Sequence, residues 1–245
     1  MYRRILLALH VAVLILISQE HGLRQSDCSF NTAAVLPVTP QAEPEAKEKR
    51  RLTRVESYVE NFRIGLPGRN KIEIRRMEKD KTVISIYFYS LAKGGDWRLN
   101  QTIELERVNY PQDLEPEFRD FNNDGLKDFT FVSGEAARGA NEVRTLLVYD
   151  KKHDRLVHIK NSEDYPNLEY NKKLNCVDSW MFHGATTTVF LKLEGDKLRE
   201  FATVDTGLER EVALIDRSGN RRVVRREKMN VADIYTRYSN YNPPE

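Results

Sequence analysis

Asp120, Asn122, Asp124 and Asp128 lie in one short stretch, Asp120-Phe-Asn-Asn-Asp-Gly-Leu-Lys-Asp128, with Gly125 directly after the third of them. Their side chains offer only oxygen donors. In a tight loop alternate residues can point inward, so this spacing suits a hard divalent cation. Calcium takes six to eight oxygens at ~2.3–2.6 Å. Gly125 allows the sharp turn that a side chain would strain. The backbone carbonyl of Leu126 is placed as a further ligand, and Asp128 closes the cage. The competing reading is an Asn/Asp/Gly-rich surface turn that holds no metal.

The loop is not an EF-hand. That loop needs a bidentate Glu at its twelfth position, which here is Phe131. Phe129-Thr-Phe-Val132 alternates as a strand does, and Pro116 opposes a regular helix before the loop. The motif is therefore expected to lead into a strand.

The elements that must position this loop are mostly strands. Ile72–Ile74, Thr82–Tyr89, Trp97–Val108, Asp128–Val132, Val143–Tyr149, Leu156–Ile159, Thr186–Leu193 and Leu198–Val204 are apolar or alternating runs. Lys79-Asp-Lys81, Asp150–Asp154 and Glu194-Gly-Asp-Lys197 separate them as turns. Leu52, Val55, Tyr58, Val59 and Phe62 fall at helical spacing and predict a short amphipathic helix within 45–63. The expected fold is mainly β: an antiparallel domain over 64–228, blade-like or a sandwich meander. It carries one calcium loop, a short N-terminal helix and a tail over 229–245.

Met1-Tyr-Arg-Arg4 followed by an apolar run from Ile5 to Ile17 reads as a signal peptide over 1–25. The run is too short to cross a bilayer comfortably, and an uncleaved anchor is the alternative. Cleavage is expected between Gln19 and Ser26. Residues 26–46, with Pro37, Pro40 and Pro44, read as a linker leading to the expected helix, so that 26–63 precede the β domain. Cys28 follows Gln25-Ser-Asp27, which is no lipidation motif. In an exported chain Cys28 and Cys176 are an even pair that could bridge or stay free.

The 39 Lys+Arg and 37 Asp+Glu each fall to 36 once Arg3, Arg4, Arg24 and Glu20 are removed with the leader. A mature charge near zero excludes nucleic acid as a partner by global charge. The basic run Arg217–Lys228 surrounds the turn Ser218-Gly-Asn220 and reads as the polar face of a hairpin.

The Asp120–Asp128 loop resembles the FG-GAP/VCBS-type calcium loops of integrin-like β-propeller repeats. With Asp128-Phe-Thr-Phe-Val-Ser-Gly134, Leu147-Val-Tyr-Asp150, Pro166–Tyr170, Gly184-Ala185 and Leu193–Leu198, the chain looks like a group of exported bacterial proteins carrying one such loop. That group includes periplasmic inhibitors of peptidoglycan-degrading effectors, of lysozyme-inhibitor style. The resemblance covers roughly residues 83–204. It implies calcium as cofactor, a periplasmic or secreted location, and a protein partner such as a peptidoglycan hydrolase. It departs from the inhibitors in lacking a lipidation site.

Catalysis has little sequence support. There is no H-E-x-x-H and no G-x-S-x-G. Asp178, Ser179 and His183 are near in sequence, which says nothing about a triad, because triads are assembled by the fold. The expectation is a non-enzymatic, calcium-binding, protein-binding domain. The small polar segment Ser133–Asn141, with Glu135 and Arg138, is its expected contact. The alternatives are an envelope hydrolase that uses calcium structurally, and a purely structural calcium-binding protein.

Overall fold

A computed structural model describes residues 53–78, 82–107 and 113–244. The expected signal peptide, the linker over 26–46 and Cys28 lie outside the described residues. The first sheet is β1 (Thr53–Glu60), β2 (Asn70–Glu78), β3 (Thr82–Leu91) and β4 (Trp97–Arg107). The second is β5 (Glu117–Arg119), β6 (Asp128–Ala136), β7 (Asn141–Asp150) and β8 (Arg155–His158). The third is β9 (Glu169–Asn171), β10 (Cys176–Phe182), β11 (Thr186–Glu194), β12 (Lys197–Asp205), β13 (Glu209–Ile215) and β14 (Arg221–Lys228). In each sheet the strands lie in chain order, paired antiparallel. The fold is mainly β, as expected.

One element differs. Residues 53–60 form β1, where helical spacing predicts part of a helix; residues 45–52 are outside the described region. Tyr58 pairs with Ile74 and packs inward, while Val59 pairs with Glu73 and points out, 56% exposed. Val55, Tyr58 and Val59 keep helical spacing and do not alternate, so the residue pattern points to a helix where the chain forms a strand with a register shift between Arg54 and Glu56. The open edge of β2 decides between them by offering a full ladder of backbone partners.

The three sheets stack face to face. In β3, Ile84, Ile86 and Phe88 point inward, and with Ile72 and Ile74 of β2 they meet Phe129, Phe131, Leu147 and Tyr149 of the second sheet. The other face of that sheet gives Leu146 and Val148 to a second core with Val177, Val189 and Leu191 of the third. The middle sheet is thus buried on both sides, which is why Leu146-Leu-Val-Tyr149 is a continuous apolar run without alternation. The far face of the third sheet holds Phe190, Ala202, Val204 and Val212, and is closed by Tyr238 and Tyr241.

The segment 229–244 therefore does structural work. Thr206 and Thr186 hydroxyls donate to the Ile234 carbonyl at 2.6 and 2.8 Å, and the Tyr238 N–H donates to Thr188 Oγ1 at 3.0 Å. Arg237 makes an ion pair with buried Asp178.

Side-chain amides fasten the second sheet to the third. Asn141 donates to the Phe182 carbonyl at 2.9 Å and accepts its N–H at 2.8 Å. Asn161 does the same with Leu198, both at 2.8 Å. Each amide stands in for a backbone peptide and satisfies groups that would otherwise be costly to bury.

Candidate metal loop

The loop Asp120–Asp128 joins β5 to β6 and is pinned at two apolar points. Phe121 is buried in the core between the second and third sheets, and Leu126 packs against the core between the first and second. The Gly65 N–H donates to the Lys127 carbonyl at 2.9 Å, tying the loop's exit to the β1–β2 connection. Gly65 has φ +54°, and a Cβ at this position would meet Asn70 Oδ1 at 2.7 Å, so only glycine fits without strain.

Between those points the backbone curls around the acidic groups. Asp120 Oδ1 accepts the Asp124 N–H at 3.2 Å, and its Oδ2 accepts the Gly125 N–H at 2.9 Å. Asn122 Oδ1 accepts the Asp124 N–H at 3.1 Å, and Asp124 Oδ1 accepts the Leu126 N–H at 2.8 Å. Asn123 and Gly125 have φ of 59° and 82°, the left-handed values that bend the chain inward twice.

Asp128 plays a different part. It is fully buried, its Oδ2 accepts the Phe121 N–H at 2.7 Å, and its Oδ1 accepts the Tyr149 N–H at 2.9 Å. Its carboxylate thus spans the loop's entry and β7. Burial pushes its pKa up to about 7; the two N–H bonds oppose that rise, and the charges of Asp124 and Asp120 add to it.

The donor set suits a hard cation. It is all oxygen, and each carboxylate oxygen that accepts one N–H keeps a second lone pair. Asp120, Asn122, Asp124 and Asp128, with the Leu126 carbonyl, are the residues that would hold calcium. Among the described residues no group of three or more His, Cys, Asp or Glu side chains converges closely enough to form a metal site in this conformation.

The loop borders an open groove of about 720 Å³. Asn122 and Asp124 form one wall, the β7–β8 turn with Asp150, Lys151 and Lys152 another, and Gly195-Asp196 of the β11–β12 turn a third. The β7–β8 turn is held by Asp154. Its carboxylate accepts hydrogen bonds from Asn70 Nδ2 at 2.9 Å, Asn100 Nδ2 at 3.0 Å, the Tyr149 hydroxyl at 3.0 Å and the Ser90 hydroxyl. Burial works to raise the Asp154 pKa, but these hydrogen bonds outweigh it and hold the carboxyl below its ordinary value.

Glu135 and Arg138 are exposed at the β6–β7 hairpin tip, where Ala137 and Arg138 have φ of 49° and 57°. That tip is not beside the metal loop. The loop enters β6 at Asp128 and the tip leaves it after Ala136, so the two lie at opposite ends of a nine-residue strand, roughly 25 Å apart at ~3.3 Å per residue. The groove residues nearest the loop carried no distinctive sequence signal beyond turn composition.

Cys176 is a free, buried thiol, pushed up to about 12 by burial with Asp178 adding to the rise. Asp178, Ser179 and His183 do not form one constellation. Asp178 engages Arg237 and Asn171, Ser179 donates to the Pro166 carbonyl at 2.6 Å, and His183 Nε2 contacts Thr187 Oγ1 at 2.9 Å.

No family model matches the sequence, and no curated protein matches it. A solved chain described as a Xanthomonas type IV secretion system related protein overlaps 71% of this chain and 98% of its own length, at 12% identity and a TM-score of 0.43. An overlap that weak carries no argument about fold or role.

Proposed function

We propose that this chain is an exported, non-catalytic binding protein whose Asp120–Asp128 loop takes calcium and fixes a recognition surface for another protein. The observation that carries this reading is the curl of the loop around its acidic side chains. Asp120 and Asp124 accept N–H groups from within the loop, while Asp128 ties both the loop's entry and β7. A calcium ion there would draw together oxygens that one short segment carries. It would also neutralise the mutual repulsion of three carboxylates.

The surface we assign to the partner is the groove beside the loop, whose walls are loops carried on rigid sheets. Glu135 and Arg138 belong to a separate surface at the far end of β6. The partner class remains a cell-wall hydrolase, held without turnover.

Thermal unfolding tests the calcium part. A ligand that binds only the folded state stabilises it by mass action. Millimolar Ca2+ should raise the melting temperature, Asp124→Ala should remove the rise, and Mg2+ should substitute poorly because it demands tight octahedral geometry. Superimposable melts in calcium and in chelator would overturn it. The partner part is tested by adding the protein to a lysozyme-type hydrolase: inhibition with no cleavage of glycan by the chain itself is expected.

A further inference from the structure

The β7–β8 turn, Asp150-Lys-Lys-His-Asp-Arg155, forms one rim of the groove beside the metal loop. It is fixed at both ends. Asp154, at φ 49°, is gripped from the first sheet by the Asn70, Ser90 and Asn100 side chains and from the second by the Tyr149 hydroxyl. Asp150 Oδ1 accepts the Lys152 and His153 N–H groups at 3.1 and 3.3 Å. Its Oδ2 meets His153 Nδ1 at 2.6 Å and accepts from Arg155 Nε at 3.3 Å. Side chains from two sheets thus hold a turn whose tip, Lys151-Lys152, is exposed.

The same contacts decide which charges of the groove stay unmatched. Asp150 is engaged by His153 and Arg155, and Asp196 is ion-paired with Lys160. Asp124 accepts the Leu126 N–H at 2.8 Å and the Asn122 amide at 3.0 Å. Lys151 and Lys152 have no ion pair with a described residue. Val148 and Val157 line the groove beside them.

We propose that Lys151 and Lys152 anchor an acidic segment of the protein partner, whose carboxylates meet the two ammonium groups. This rests on the reading of the groove as the partner's surface, and it names the chemistry the partner must bring. A glutamate matches the groove in both respects, with a carboxylate for the lysines and an apolar stem for the valines. An anchor already held in place gives up less freedom on binding than a mobile one, and the grip on Asp154 supplies that. Nucleic acid fits less well, because it needs a broad excess of cations. The basic strand β14 is the rival surface for an acidic segment. Its Arg221, Arg225 and Arg226 are already paired with Asp205, Glu227 and Glu211. Arg222 and Lys228 stand six residues apart, roughly 20 Å at ~3.3 Å per residue, so they offer no adjacent pair.

Fluorescence anisotropy of dye-labelled deca-glutamate tests it, in calcium and in chelator, with deca-lysine as the control. Saturable binding of deca-glutamate is expected in both, weakening as salt is raised, with none of deca-lysine. Lys151→Ala combined with Lys152→Ala should weaken it about tenfold, as two charge pairs are lost. Lys151→Arg combined with Lys152→Arg should keep most of it, and Arg222→Ala combined with Lys228→Ala should leave it unchanged. Circular dichroism confirms the fold of each variant. In the hydrolase assay the paired lysine-to-alanine variant should lose inhibition by a similar factor. No saturable binding of deca-glutamate, wild-type affinity in that folded variant, or a loss confined to Arg222→Ala with Lys228→Ala would each overturn the proposal. So would self-association by sedimentation that the variant abolishes, because the turn would then belong to a second copy of the chain. Hydrolase inhibition unchanged in the variant would overturn this proposal and leave the hydrolase reading standing. Deca-glutamate held by the two lysines with no hydrolase inhibited would overturn the hydrolase reading alone.

Discussion

The side-chain amide of Gln101 on β4 bonds both backbone polar groups of Leu156 on β8: Nε2 donates to the carbonyl at 3.0 Å and Oε1 accepts the N–H at 2.8 Å. At this point one side chain joins the first sheet to the second, in the manner of Asn141 and Asn161 between the second and third. Leu156 itself is in the core, 2% exposed. Its backbone therefore has little access to water as a substitute partner.

Gln101→Ala is expected to destabilise the protein by about 2–4 kcal/mol, because a donor and an acceptor lose their partner at once. Gln101→Glu keeps an acceptor and loses the donor, and should also be less stable than wild type. Urea unfolding measures both, and a loss under about 0.5 kcal/mol in Gln101→Ala would show that water replaces the amide.

Asp124 and Asp128 should separate by mutation. Asp124→Ala should abolish the response to calcium while costing little in chelator. Asp128→Ala should destabilise in chelator as well, by about 2–5 kcal/mol, since two buried N–H groups lose their acceptor. Equal stability of the two variants in chelator would contradict the structural part assigned to Asp128.

Asp154 predicts a component of acid sensitivity. Its folded-state pKa is depressed, so its contribution is fully present above the unfolded value and is lost as pH falls through the folded one. The window runs downward from the ordinary carboxylate pKa of 3.8. Asp154→Asn should flatten the fall in stability through that window. Parallel pH profiles for variant and wild type would remove Asp154 from the acid response.

Leu146 and Leu147 test the double burial of the middle sheet. Neighbours on a half-exposed strand differ sharply in their tolerance of truncation. Here both are fully buried, in different cores, so Leu146→Ala and Leu147→Ala should each cost about 2–5 kcal/mol. A near-neutral result for either would contradict the stacking on that side.

Arg237→Ala should be more damaging than its position near the C-terminus suggests. It leaves Asp178 buried without its cation, a change that costs about 3–5 kcal/mol. Asp178→Asn should partly rescue it. Denaturant midpoints of the two single variants and the double variant measure the coupling.

Much of the architecture could be read from residue patterns, and the exceptions have physical reasons. β3 was legible because Ile84, Ile86 and Phe88 alternate with outward residues. The β11–β12 hairpin was legible because Gly195 marks its turn. β1 was not, because its apolar positions keep helical spacing without alternating, and only pairing along the free edge of β2 makes the segment a strand. The amide clasps were not legible either: Gln101, Asn141 and Asn161 look like surface residues until a facing backbone is known.

For the candidate site, the spacing of Asp120–Asp128 singled out the loop's oxygen-bearing side chains, while closure onto β7 through the Tyr149 N–H depended on tertiary packing. The separation of Arg138 from the loop had a usable sequence signal. A strand starting at Asp128 and long enough to reach Ala136 must put its two ends on opposite sides of the sheet.

The serial stacking of the sheets also sets an order of risk during synthesis. β8 ends at His158, when the middle sheet can already form. Its second apolar face waits for Val177, Val189, Leu191 and finally Leu198. Those about 40 residues take roughly 2–8 s to add at ~5–20 residues per second. For that interval the nascent chain carries a finished sheet with one greasy side open, and this is when a holding chaperone would matter most. Slowing translation between His158 and Leu198 should increase aggregation more than the same delay placed after Tyr241.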